Sequence, residues 1–409
     1  MRRALGVLAV RDFRWLWSGH TLFVVSLTMS RLALGWLTLE LTDSAYWVGV
    51  AIGMDGAGKL IFGVFAGVLV DRFDKRAVLL ISQCTFAGLC LLLGFLIVDQ
   101  VVLLWSVLFI TFLLGGADAI MVPANNSIVY QMVGRARVMN ASAINMMGFN
   151  LARTVGAALA GLVIERWNTG ACYLVAGGAA LLGLLPLLCV RDDFRPTTAH
   201  EPFWTTWRDG LRYVWSDRVL VRVLGLSVVV EMFGFSYYTM ISVMARDVLR
   251  VGAEGYGYLS AASGAGAAVG TVWLAGLGDY RHKAHLLLTT VISAGLGIIL
   301  FAFSPWYWVS LMFAAIIGAG LAAYDAVMQT LVQLCTPDSM RGRVLSMYGL
   351  TFGFMSVGGY IAGSIAIVLG VPITISVGGG VIAAYALSLI PVIPLLQPGT
   401  VESSAPIWR

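Results

Sequence analysis

Charge is what this sequence has least of. Only 11% of its 409 residues are Asp, Glu, Lys or Arg, while 59% are hydrophobic; soluble domains are nearer a quarter charged and half apolar. That balance excludes a soluble globular chain, and a mean hydropathy of +0.87 points to a polytopic membrane protein. A net charge of +5 hints at a nucleic-acid partner until the bases are placed along the chain, where they fall in short turns between apolar runs. Histidine is scarce too. His20, His200, His282 and His285 form no metal or nucleophile set with a neighbouring Cys or acid, so no enzyme, cofactor or metal is expected. The five cysteines, Cys84, Cys90, Cys172, Cys189 and Cys335, lack metal-ligand spacing and read as free thiols packed as small hydrophobes.

What is abundant is long apolar runs. A membrane helix needs about 20 mostly apolar residues, and that rule gives twelve spans near 15–39, 46–69, 77–98, 102–128, 138–164, 171–190, 220–245, 256–278, 285–304, 307–334, 344–369 and 372–396. The first is too long for a signal peptide, contains Arg31 and leads straight into a second span, so it is read as a retained helix. Of the 26 Lys and Arg, Arg31, Lys59 and Arg153 lie inside spans and Arg166, Arg246 and Arg250 fall on one side. The other twenty lie in or beside the loops of the opposite side, which is therefore assigned to the cytoplasm together with both termini. The spans group as 1–190 and 220–396, all-α, with a connector at 191–219 and a tail at 397–409. In the connector Trp204, Trp207, Leu211 and Val214 recur at helical spacing among Arg208, Asp209 and Arg212, which predicts an amphipathic helix at the inner interface.

The two halves echo each other. Between the second and third spans the chain reads Gly67-x-x-x-Asp71-Arg72-x-x-Lys75-Arg76, and after the eighth span Asp279 and Lys283 repeat Asp71 and Lys75 at a shift of 208. Arg135-Ala-Arg137-Val138 is matched by Arg341-Gly-Arg343-Val344, and the Gly156 to Gly161 stretch by Gly358 to Gly363. Two related six-helix halves are what a parallel transporter repeat predicts. The loop pattern resembles that of the major facilitator superfamily, with Asp74 where many members carry Gly. The opening Arg11-Asp-Phe-Arg14-Trp-Leu-Trp17, the Asn150 to Gly156 stretch and the Arg341 block resemble the bacterial exporters of siderophores and macrolides. Ala157 stands where many exporters of the superfamily have Pro. The resemblance implies two pseudo-symmetric six-helix bundles, a gating role for Gly67, Asp71, Arg72, Lys75 and Arg76, and a central cavity lined by spans one, four, seven and ten. Those spans carry one ionisable residue each: Arg31, Asp118, Glu231 and Asp325.

A charge at mid-membrane costs at least about 2.5–3.5 kcal/mol and needs a partner or a wet cavity. A carboxylate that alternates between a dry site and a nearby base binds and releases a proton, so Asp118, Glu231, Asp325 and Arg31 are the candidate proton-coupling and cavity residues. The alternative for each acid is a fixed ion pair between helices. Asp55 and Lys59, four apart in span two, share a helix face and are expected to pair. Arg31 and Arg153 either bind an anionic substrate or neutralise the acids. Gly148, Gly156 and Gly161 are expected at close helix contacts, as is Gly67 at the end of span two. Met29, Met146, Met147, Met232, Met240, Met244 and Met328 fall in the candidate cavity spans with Phe233, Phe235, Tyr237, Tyr238 and Tyr324; these suit a bulky apolar ligand, although packing positions have the same composition. The stretch Gly53 to Leu60 resembles a phosphate-binding loop but lacks its final hydroxyl residue and lies inside a span, which excludes an ATPase.

The sequence thus predicts a monomeric, proton-coupled efflux antiporter of an amphipathic small molecule, such as a drug or siderophore, in the cytoplasmic membrane. Its partners would be that substrate, protons and the lipid bilayer, without nucleic acid. A lipid or lysolipid flippase of the same fold and a transport-inactive sensor or scaffold are the alternatives.

Overall fold

A computed structural model describes residues 7, 9–134, 137–190, 211–235, 237–278, 280, 282–336 and 338–391. Twelve of its helices are long and apolar enough to cross a membrane. We number them α1 (Arg11–Thr42), α2 (Ala45–Arg72), α3 (Lys75–Val98), α4 (Leu104–Val133), α5 (Val138–Arg166) and α6 (Thr169–Leu188) in the first half. In the second half α7 is a composite of Arg218–Val229, Val230–Gly234, Tyr237–Val243 and Met244–Val248, the second and fourth pieces being π-helical turns. It is followed by α8 (Gly252–Gly276), α9 (Lys283–Ala302), α10 (Tyr307–Cys335), α11 (Asp338–Thr351 and Phe354–Leu369) and α12 (Val371–Ser388). No strand occurs among the described residues. The predicted amphipathic helix of the connector lies largely outside the described residues, as does the tail; only 211–216 is seen, as helix. Asp279 and Arg135 also lie outside them.

Polar residues mark where several spans begin. The Asp74 side chain accepts from the Arg76 N–H at 3.1 Å, Asn168 from Ala171 at 2.8 Å, and Asp217 from Val219 at 2.8 Å. Each satisfies one of the orphan donors that a helix start leaves. At the end of the bundle opposite Asp74 and Asp217, helices stop at residues in the left-handed region: Asp43 (φ 51°), Gln100 (φ 59°) and Arg250 (φ 55°). The end carrying Arg72, Lys75 and Arg76 is called the basic end below, and the end carrying Asp43 and Arg250 the far end.

The repeat read in the sequence is a repeat of packing. In the first half α1 packs on α5 and α6, α2 on α4, and α3 on α4 and α6. In the second half α7 packs on α11 and α12, α8 on α10, and α9 on α10 and α12, the same scheme six helices later. The halves meet through α2 against α11 and α5 against α8, two contacts that exchange under the repeat.

Glycine makes these contacts close. A Cβ on Gly161 would stand 2.7 Å from the Gly257 Cα and 2.8 Å from the Ala253 carbonyl; one on Gly363 would meet the Ala45 carbonyl at 2.8 Å and the Gly49 Cα at 3.1 Å. Gly49 and Gly257 are 208 residues apart, the shift that relates Asp71 to Asp279. Gly56 and Gly264 keep the same shift and sit against Ser356 and Thr154. Backbones this near replace bulky side chains by dispersion contact between main chains, the usual basis of helix association in lipid. Gly156 does the same on α1, where a Cβ would lie 2.9 Å from the Val25 carbonyl, whereas Gly148 makes room for a side chain, 2.7 Å from Trp17 Nε1. Gly67 is the correction. Among the described residues nothing lies within 4 Å of a Cβ built there; the close approaches of α2 fall at Gly49, Gly56 and Gly58, nearer the far end.

Candidate functional site

Four charges from three helices converge in the first half. Arg31 on α1 donates from Nη2 to Asp118 Oδ2 on α4 at 2.8 Å, and its Nε lies 4.0 Å from Asp55 Oδ2 on α2. Lys59 pairs with Asp55 one turn away and lies 3.7 Å from Asp118 Oδ2. The expected Asp55–Lys59 pair is therefore one edge of a four-membered network in which two cations balance two anions. Arg31 keeps 44% of its side chain exposed, although α1 is the most buried span, with 78% of its apolar window inside the protein. An exposed guanidinium on so interior a helix fits a wet opening better than a lipid-facing position.

The second half is built differently. Glu231 sits on the first π-turn of α7, 1% exposed, with no hydrogen-bond partner for Oε1. A π-turn shifts the helical register by one residue and often marks a functional position. Asp325 on α10 lies within electrostatic reach of Glu231 and of Arg153; its Oδ1 accepts from the Tyr348 hydroxyl at 3.4 Å. Among the described residues neither acid forms an ion pair. The base within reach of Asp325 comes from the other half. Arg153 of α5 lies 5.9 Å from the ring centre of Phe149 on its own helix and 5.4 Å from that of Tyr238 on α7, a cation–π arrangement. Tyr238 is in turn fixed by the Ser263 hydroxyl at 2.8 Å and by stacking on Phe235 at 5.9 Å.

The methionines divide. Met29, Met240, Met244 and Met328 are packed in the core, whereas Met146 and Met147 on α5 are exposed. Buried Tyr237 and Tyr324 are also core residues. Of the cysteines, Cys90 and Cys172 are buried as expected, while Cys84 and Cys189 are exposed.

At the basic end, Arg72 is exposed at the last turn of α2 and Lys75 is buried at the first turn of α3. Arg76 donates to the Leu188 carbonyl at 2.8 Å, tying α3 to the C-terminus of α6, where a cation is favoured. Asp71 lies in the last turn of α2 with its side chain undescribed, as are those of Arg341 and Arg343.

Every described hydrogen bond between the halves lies at the far end, on residues that sequence reasoning passed over. Glu165 at the end of α5 accepts from the Ala253 and Glu254 N–H groups at 2.9 and 3.3 Å, capping α8. Arg246 of α7 donates to the Leu39 carbonyl at 3.0 Å and to Asp43 at 2.5 Å, capping α1. An acid on a helix N-terminus and a base on a helix C-terminus both match the helix dipole. With the glycine contacts, they seal the far end.

A twelve-helix repeat with a sealed end and charges gathered at mid-depth defines a membrane transporter of the major facilitator fold. The chain belongs to the transmembrane secretion effector family, whose model matches residues 3–407. It is 25% identical over 344 residues to the enterobactin exporter EntS of Shigella flexneri and to EntS of Escherichia coli O1:K1, covering 82% of this chain and 80% of each relative. Among solved structures it resembles a bacterial homologue of the human lysosomal transporter Spinster in an inward-facing, unoccupied conformation (TM-score 0.72, 12% identity, 96% of each chain). It also resembles a POT family transporter in complex with a thioalcohol-conjugated peptide (TM-score 0.77, 14% identity, 94% of this chain and 96% of that one).

Proposed function

We propose that this protein is a proton-coupled exporter of an amphipathic small molecule, monomeric in the cytoplasmic membrane, with both termini and the basic end in the cytoplasm. It alternates between the present state, sealed at the far end, and one sealed at the basic end, where the Gly67–Arg76 motif would gate. The observation that carries the reading is the acid pair Glu231 and Asp325. Among the described residues Glu231 is buried with no ion-pair partner and no hydrogen-bond partner for Oε1, and a carboxyl left unpaired in this way is free to change partners as its surroundings change. Rearrangement of the halves that brings Arg153 closer would favour release of a proton from the pair. Asp118, by contrast, has a cation at 2.8 Å and serves better as a fixed member of the network. Exposed Arg31, the Arg153 guanidinium and the rings of Phe149 and Tyr238 suit a substrate with an anionic group on an aromatic or apolar body, and enterobactin is the compound that the relatives' name suggests trying first.

The test is efflux of enterobactin from cells deprived of their own exporter, paired with uptake into inverted vesicles under an imposed pH gradient. Uptake that follows the gradient and is lost in Glu231→Gln supports the proposal. Uptake that ignores the gradient removes proton coupling, and absence of transport with a panel of anionic, neutral and cationic amphipaths removes export.

A further inference from the structure

On the far side of the four-charge network lies a small chamber. Its lining includes Asp55 and Arg31 of the network, Ser30 and the hydroxyl-bearing Thr111 of α4 and Tyr173 of α6, with apolar side chains completing the wall. The space open to a water centre is about 10 Å³, roughly what one water molecule requires. Thr111 and Tyr173 are 2% and 0% exposed, and neither hydroxyl has a hydrogen-bond partner within the protein. The Ser30 hydroxyl is committed to the Leu27 carbonyl at 3.0 Å.

Two orphaned hydroxyls on different helices, beside a carboxylate and a guanidinium, are an unlikely product of apolar packing. Each unsatisfied buried hydroxyl costs about 1–3 kcal/mol, and a molecule that can donate and accept removes both costs at once. The geometry points to a bound water in this chamber, shared by Thr111 Oγ1, Tyr173 Oη and the Asp55 carboxylate. A monovalent cation would fill the same space, but Arg31 lines it and Lys59 is paired to the same carboxylate, so the local charge favours the neutral ligand. The water would make Thr111 and Tyr173 positioning residues for Asp55. It joins α4 and α6 to the network from the side nearer the far end.

The sign of a stability change decides the matter, and the measurement does not depend on transport. In a dry chamber Thr111→Val and Tyr173→Phe each delete an orphaned hydroxyl at nearly constant shape, so the Tm of the purified protein stays level or rises. With the shared water each deletes a partner, so Tm falls in both, and the double variant falls by less than the sum because the second change finds the water already lost. Thr111→Ser, which keeps the hydroxyl and hence the water, should combine additively with Tyr173→Phe. A level or raised Tm in either variant overturns the proposal. So does a parent Tm that is higher in sodium than in choline chloride while the Thr111→Val variant shows no such difference, since that identifies a cation. Independently of any variant, a map of the unaltered protein that resolves waters should show one peak within hydrogen-bond reach of both hydroxyls; a featureless chamber refutes it.

Discussion

Adding one methyl group at Gly161 should unseal the far end. A Cβ at this position would stand 2.7 Å from the Gly257 Cα and 2.8 Å from the Ala253 carbonyl, both main-chain atoms that cannot rotate away. Reaching ordinary contact at 3.4 Å requires α5 and α8 to part by roughly 0.7 Å locally. The Glu165 cap spans the same two helices, and its 3.3 Å bond to Glu254 is already near the limit of a useful hydrogen bond. Overpacking of this kind costs about 1–3 kcal/mol, which shifts a two-state equilibrium about 5–150-fold. The cost falls only on the state in which α5 and α8 touch here, so Gly161→Ala should populate the far-end-open state. Gly363→Ala, at the pseudo-symmetric contact with a looser 3.1 Å approach to the Gly49 Cα, should act in the same direction more weakly. Spin labels replacing exposed Trp167 and Arg250 in a cysteine-free background report the separation across the far end by electron–electron resonance. A longer-distance population should appear in Gly161→Ala and grow in the double variant. An unchanged distance distribution in a protein that still elutes as a folded species would refute the reasoning.

Asp71→Asn should leave folding intact and sharply reduce transport, measured as efflux at matched expression; normal rates would reduce the motif to a topology signal. Gly156→Leu should impair assembly or transport, read by size-exclusion recovery and efflux, because its side chain would enter α1 at the Val25 carbonyl. Lys59→Met leaves the network one cation short and should lower the unfolding free energy, read as a fall in Tm, by at most about the 3 kcal/mol at the low end for breaking a buried pair; adding Asp55→Asn should restore most of the loss. Glu231→Gln should abolish the stimulation of transport by a pH gradient, whereas Asp118→Asn should lower stability and keep it; the reverse outcome would move the coupling site to the first half.

Much of the scaffold was legible because the membrane simplifies the code. Span length and the placement of Lys and Arg depend on bilayer thickness and charge bias, so residues near 46–69 are readable as a helix without knowledge of its neighbours. The Asp55–Lys59 pair was legible for a similar reason, since four-residue spacing fixes one helix face. Its union with Arg31 and Asp118 was not, because three helices must first be placed side by side. Glu165 and Arg246 were missed for a different reason. They sit near helix ends, where a charge looks like an orientation signal until the dipole it caps is known. A signal was present for the glycine seals: Gly49 and Gly257 share the shift that relates Asp71 and Asp279. Gly67 drew attention instead because it belonged to a recognisable motif.

What the repeat duplicates is packing, and what it leaves single is charge. At the shift of 208 that superposes Gly49 on Gly257 and Gly56 on Gly264, Asp55 falls on Ser263 and Lys59 on Ala267. Gly115 backs onto the Asp55 carbonyl as Gly318 backs onto that of Ser263, so α4 and α10 correspond at a shift of 203. On that register Asp118 falls on Leu321, and Asp325 on Val122, one turn nearer the basic end. The second half therefore lacks equivalents of three members of the network, and its acid sits on the same helix face at another depth. Neutral Ser263 is free to fix Tyr238 at 2.8 Å, the ring that meets Arg153 from the other half. One half thus holds four charges in a balanced set within three helices, while the other leaves two acids without an ion pair among the described residues, Asp325 being within electrostatic reach of Arg153 from the partner half. Movement of the halves changes the surroundings of the second set far more than those of the first, and the proposed proton coupling is therefore to be tested first at Glu231 and Asp325.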